Sequence, residues 1–132
     1  MARCCGATFL GTLLVVEDEP LLASSFKTLL EYLGYKVHVA QDAASALAVL
    51  GSTEVDVVLC DIKLPGQMSG LDLAAVIKRD PDLKDLPLVA VTGYGQPQDR
   101  ARTSTAGFDA HLAKPVEVAV LQGLLRGFIS PV

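Results

Sequence analysis

The sequence predicts an α/β fold of the (βα)5 type, a doubly wound sheet of five parallel strands with helices on both faces. Three observations carry that expectation. Apolar strand-like runs alternate with helical patterns from Thr12 to Phe128, an order that implies parallel strands and right-handed crossovers. The run Val57-Val58-Leu59-Cys60 is apolar at every position, as expected of a strand covered on both faces in the middle of such a sheet. The chain of 132 residues has room for one core, and no linker, internal repeat or low-complexity tract divides it.

Each element has its own signal. Thr12 to Val16 is a first strand. Leu22, Phe26, Leu29 and Leu33 recur at helical spacing and predict a helix from Pro20 to Leu33. Pro20 suits the first helical position there, and Gly34 the left-handed stop. Lys36 to Ala40 is a second strand at the sheet edge, with Val37 and Val39 pointing inward and His38 toward solvent. Asp42 caps a short helix that runs to Leu50 and ends at Gly51. Val55 to Cys60 is the third strand. Ser69, with Asp72 three residues on, has the form of a capping box for a helix to Arg79 that Pro81 stops. Leu88 to Val91 is the fourth strand, and Pro97 opens a polar helix that Gly107 closes. Ala110 to Ala113 is a short fifth strand. Val116 to Phe128 is the last helix, and its Val120, Leu121, Leu124, Leu125 and Phe128 make a wide apolar face. Core packing accounts for most of that width, and a weak homodimer is expected to use the rest. Residues 12–129 are thus the domain and residues 1–11 a leader outside it.

Composition narrows the function. Hydrophobic residues at 51% against 20% charged exclude intrinsic disorder. Eleven basic against 15 acidic residues give a net charge of −4, with no basic run longer than Lys78-Arg79, so direct nucleic-acid binding is not expected. Cys4, Cys5 and Cys60 have neither disulfide-framework nor metal-site spacing, which fits a reducing, cytoplasmic setting. The uncharged stretch from Cys4 to Val16 is too short to span a membrane. It meets Glu17-Asp18-Glu19 with no small-residue cleavage site before them, so neither membrane insertion nor export is expected.

In an open parallel sheet, ligands bind beyond the carboxyl ends of the strands. Glu17 and Asp18 follow the first strand, Asp61 the third, Thr92 the fourth and Lys114 the fifth. Singly, each has an ordinary reading as a helix-start acid, a turn hydroxyl or a solvated lysine. Together they place three carboxylates, a hydroxyl and an ammonium on one edge. Carboxylates about 4 Å apart repel by about 4 kcal/mol per pair at an effective dielectric of 20, so a compensating cation is expected. Oxygen-only ligands select a hard ion such as Mg2+. A carboxylate beside Mg2+, a hydroxyl and a lysine is equipped to accept a phosphoryl group as an acyl phosphate.

Val15-Val16-Glu17-Asp18-Glu19-Pro20, Val57 to Gly66 with Asp61 inside it, Val89-Ala90-Val91-Thr92-Gly93 and Ala113-Lys114-Pro115 together resemble the response-regulator receiver domain. The resemblance covers Thr12 to Phe128, and hybrid sensor histidine kinase receivers are the most similar in style. It implies the flavodoxin-like strand order 2-1-3-4-5 and a role for each matching residue. Asp61 matches the phosphoryl acceptor. Glu17 and Asp18, with Asp61 and the backbone carbonyl of Lys63, match the Mg2+ site. Thr92 and Lys114 match the hydroxyl and ammonium that engage the phosphoryl oxygens, and Pro115 the proline reached through a cis bond. Phosphorylation, from a histidine kinase or histidine phosphotransfer protein, is then expected to bias the segments around Thr92 and Lys114 between two arrangements.

The sequence departs from the family pattern in three places. His111 stands where an aromatic switch residue is usual, which predicts an altered switch, with Tyr94 as a substitute. The loop Leu64 to Gly70 is one residue longer than usual, with Gln67 and Met68 at its tip. Lys63 and Tyr94 occupy positions that tune phosphoryl lifetime. Other readings fit less well. A flavodoxin-like cofactor binder needs a phosphate cradle where Glu17 and Asp18 stand. A hydrolase with an Asp nucleophile needs a second Asp where Lys63 stands. A degenerate receiver serving only as a docking module remains the alternative to phosphotransfer.

Overall fold

The computed structural model describes residues 9–92, 105–113 and 116–129. Its strands are β1 (Thr12–Val16), β2 (Lys36–Ala40), β3 (Val57–Asp61), β4 (Leu88–Thr92) and β5 (Ala110–Ala113). The described helices are α1 (Pro20–Tyr32), α2 (Ala43–Ser52), α3 (Gly70–Arg79) and α4 (Val118–Phe128). All strand pairs are parallel, in the order β2-β1-β3-β4-β5. The doubly wound sheet and its order are as expected.

Alternation along the strands builds the two halves of the core. Leu13, Val15, Val57, Leu59, Val89 and Val91 face a cluster completed by Phe26 and Leu30 of α1 and Leu121 and Leu125 of α4. Leu14, Val16, Val58, Cys60, Leu88 and Ala90 face the other cluster, with Ala46 and Leu50 of α2 and Leu73, Ala74 and Ile77 of α3. Because successive strand side chains point to opposite faces, the uninterrupted apolar run of β3 is what a helix layer on each side requires.

Several boundaries differ from the sequence reading, each for a local reason. Residues 55 and 56 precede β3. Asp56 is held at the strand entrance, where its carboxylate accepts the Thr12 N–H at 2.7 Å and its own N–H donates to the Thr12 carbonyl at 2.8 Å. At the other end the ladder runs one residue further, so Asp61 lies in β3 opposite Val91, and Thr92 lies in β4 opposite Ala113. Helix α2 continues past Leu50 and Gly51 to Ser52, whose hydroxyl donates to the Ala48 carbonyl at 3.1 Å. The buried seam of α1 is Ala23, Phe26 and Leu30, with Leu22, Leu29 and Leu33 at its margins. On β2, Val37 is buried but Val39 is exposed, and His38 Nε2 is buried, with no hydrogen-bond partner among the described residues, rather than facing solvent. An edge strand is covered incompletely on one face, and Val39 falls where that cover stops. Helix α4 starts at Val118 instead of Val116, leaving Val118 and Val120 exposed.

Other local expectations hold. Asp42 accepts the Ser45 N–H at 2.7 Å, a bond that holds its carboxyl below the usual carboxylate range. Ser69 and Asp72 form a reciprocal capping box. Gly34 turns the chain after α1 with φ 107. Of the helix expected from Pro97 to Gly107, residues 97–104 lie outside the described residues, while Thr105 and Ala106 are helical and Gly107 has φ 112. Gly11 is buried, and the Leu10 N–H donates to the Gly34 carbonyl at 2.9 Å, so residues 10 and 11 are tied to the turn after α1. Among the described residues no helix is long and apolar enough to cross a membrane.

Candidate functional site

The register aligns the carboxyl ends of three neighbouring strands. Val16 stands opposite Cys60, so Glu17 and Asp18 leave β1 beside Asp61, and Asp61 in turn stands opposite Val91 of β4. One carboxylate oxygen from each of Glu17, Asp18 and Asp61 lies within 4.8 Å of the others. Glu17 is buried, Asp61 half-buried and Asp18 exposed, so the cluster grades from the sheet edge into solvent.

Backbone donors hold two of the acids. Glu17 Oε2 accepts the Glu19 N–H at 3.1 Å, which answers part of the cost of burying its carboxylate. Asp61 Oδ1 accepts the Lys63 N–H at 3.1 Å, turning the carboxylate toward its own loop. At an effective dielectric of 20, charges 4.8 Å apart repel by about 3–4 kcal/mol.

The donor chemistry fits a hard divalent cation. The set is all oxygen, three carboxylates within 4.8 Å of one another, which is the donor type a hard ion such as Mg2+ takes.

Cys60 precedes Asp61 and turns into the core below it, with Sγ 3.1 Å from the Asp61 carbonyl oxygen. Burial pushes the Cys60 thiol up, and the charges of Asp61 and Glu17 push the same way. The thiolate is the reactive form, so native Cys60 is expected to resist iodoacetamide and to react once the chain is unfolded. Peptide mass mapping checks this, and rapid native labelling of Cys60 would contradict it.

The structure thus brings together Glu17, Asp18, Asp61 and the loop bearing Lys63, which is itself exposed. Thr92 closes β4 one residue beyond the partner of Asp61. The Thr92 side chain, and Tyr94, Lys114 and Pro115 altogether, lie outside the described residues. His111 is half-buried on β5, opposite Ala90 and away from the face that takes Leu112. Of the long loop, Gln67 is exposed and Met68 packs partly on the core. With Asp42, Ala43 and Ala44 at the start of α2, the loop lines a half-open cavity of about 270 Å³. Sequence reasoning gave Gly70 no role, although the structure sets it directly against Asp61. Its only sequence signal is a glycine at the first helical position, after a good cap.

Comparison with known proteins completes the description. Residues 13–126 match the response regulator receiver domain family. The chain is 32% identical over 119 residues to the polar-differentiation response regulator DivK of Brucella anthropi, covering 90% of this chain and 96% of that one. A receiver domain of a sensor histidine kinase from Pseudomonas aeruginosa, solved with a magnesium ion coordinated in its active-site cleft, superposes with TM-score 0.84 at 29% identity, covering 92% and 98% of the two chains. The signal receiver domain of a histidine kinase from Syntrophus aciditrophicus gives TM-score 0.83 at 31% identity, covering 91% and 90%.

Proposed function

Because the chain belongs to the response regulator receiver domain family, we propose that it is the phosphoacceptor module of a two-component phosphorelay, with Asp61 as acceptor. The observation that carries the reading is the meeting of Glu17, Asp18 and Asp61 within 4.8 Å at the carboxyl edge of the sheet. Three acids so placed repel one another, and a cation between them offsets that cost.

In the proposed reaction an Asp61 carboxylate oxygen attacks the phosphorus of a phosphohistidine. The P–O bond forms as the P–N bond breaks, and the imidazole leaves with the electron pair. The donor is a histidine kinase or a histidine phosphotransfer protein. Glu17, Asp18, Asp61 and the Lys63 carbonyl would hold Mg2+, which supplies charge neutralisation for the phosphoryl oxygens. The Lys63 N–H orients the acceptor carboxylate. Lys114 pairs with a phosphoryl oxygen and Thr92 donates its hydroxyl to another, with Pro115 setting the path of the chain after Lys114. The acyl phosphate adds up to about two negative charges. Closure of Thr92 and Lys114 onto them then biases β5 and the segments around it between two arrangements, an altered switch in which His111 stands at the aromatic position and Tyr94 is the substitute.

The test is phosphoryl uptake from a small donor with Mg2+, read as intact mass for the wild type and Asp61→Asn. Lifetime gives a second measurement. Lys63 is exposed next to the acceptor and its chain is long enough to screen the acyl phosphate from water. Lys63→Ala is expected to speed dephosphorylation several-fold, and Tyr94→Ala to act in the same sense. Unchanged phosphate-release rates in both would dispose of the shielding role.

A further inference from the structure

We infer that Gly70 is a positioning residue for the acidic site, the seat on which the loop bearing Lys63 closes against Asp61. The inference takes from the phosphoacceptor reading only what Asp61 does; how Gly70 acts on Asp61 is a matter of space.

Gly70 is the first residue of α3 and is buried. Its φ is outside the left-handed region, so backbone conformation does not demand glycine. Space does. A Cβ at this position would overlap the Asp61 carbonyl oxygen, and would lie 2.8 Å from the Ile62 Cα and 3.1 Å from the Asp61 carbonyl carbon. These are backbone atoms of the acceptor and its neighbour, which cannot swing aside as a side-chain tip can. By contrast, a Cβ at Gly51 or Gly123 meets nothing within 4 Å.

Two further attachments make the seat specific. The Gly70 N–H donates to the Ile62 carbonyl at 2.7 Å, closing the loop from Lys63 to Ser69 upon itself. The capping box fixes the same helix end, with the Asp72 N–H on Ser69 Oγ at 3.2 Å and the Ser69 N–H on Asp72 Oδ2 at 3.0 Å. Inside the closed loop lies the Lys63 N–H that orients the Asp61 carboxylate. How deeply α3 seats therefore sets both the aim of that carboxylate and the place of the Lys63 carbonyl.

A methyl group at Gly70 forces the start of α3 to retreat by roughly 1 Å, and a misplacement of that size at a reacting centre costs about 100-fold in rate. Outer partners of metal ligands typically matter by about 10–100-fold in affinity. Gly70→Ala is thus expected to weaken Mg2+ binding at least about tenfold by calorimetric titration and to slow phosphoryl uptake from a small donor, with the chain still folded. Ala74→Gly, a buried change in the same helix away from the seat, lowers stability and is expected to keep Mg2+ affinity within about twofold of wild type. A folded Gly70→Ala chain with wild-type Mg2+ affinity and uptake would overturn the inference, as would an equal loss in Ala74→Gly. Should Gly70→Ala not fold, Ser69→Ala decides: loosening the cap beside the seat is expected to weaken Mg2+ binding several-fold, and wild-type affinity there would also overturn it. A wild-type chain that binds Mg2+ but takes up no phosphoryl would fail the phosphoacceptor reading, while the affinities still decide the role of Gly70.

Discussion

Asp61→Asn is expected to abolish phosphoryl uptake, leaving the intact mass unchanged under conditions in which the wild-type chain gains one phosphoryl group. The amide oxygen carries no charge with which to attack phosphorus, and one of three oxygens within 4.8 Å of one another ceases to be an anionic ligand. Chelating Mg2+ is expected to suppress uptake by the wild type in the same assay, because the phosphoryl oxygens and the remaining acids would then face each other unscreened. Uptake by both chains would move the acceptor elsewhere and sink the proposed function. Stability should move the other way. Removing one charge from a crowded cluster relieves repulsion, which for a half-buried group open to solvent amounts to about 1 kcal/mol after screening. Without divalent cation, Asp61→Asn is therefore expected to melt no lower than wild type.

Leu59→Ala is expected to produce the largest loss of stability. Leu59 lies in β3 at the centre of the sheet, 1% exposed, in the cluster that α1 and α4 cover. Truncating a buried leucine costs roughly 2–5 kcal/mol, since the transfer energy is lost and the cavity closes only in part. Strands gripped by ladders on both sides cannot move in to fill it, which favours the upper half of that range. Total stability for a domain of this kind is about 5–15 kcal/mol, so the variant gives up a large share. The melting temperature should fall by roughly 10 °C or more, checked by calorimetry or circular dichroism. A shift of only a few degrees would mean that the two core layers are looser than the burial indicates.

The contrast between these two residues shows what a one-dimensional reading can reach. Leu59 was legible as core because it sits in a run apolar at every position, and only a strand between two helix layers accounts for such a run. Asp61 was legible as a candidate because its charge follows that run directly, and the structure sets it beside Glu17 and Asp18. The capping box at Ser69 and Asp72 and the stop at Gly34 were legible too, since both work over a few residues. Boundaries set by tertiary bonds were less so. Asp56 looks able to open β3 until its carboxylate is seen on the Thr12 N–H across the sheet. Val39 looks inward by alternation, and only the extent of the helix layer over an edge strand exposes it.

Order of elements, strand direction, the two-sided core and the types of residue on the carboxyl edge of the sheet were determined by the sequence alone, because each follows from periodicity, local capping and the parallel-sheet rule. Distances were not, since they depend on register and on how deeply one element seats on another. Tertiary structure decided that three acids from two separated segments come within 4.8 Å. It also decided that Gly70 leaves no room for a single carbon beside the Asp61 carbonyl. Both are consequences of packing between segments far apart in the chain, where an ångström matters and no local pattern records it.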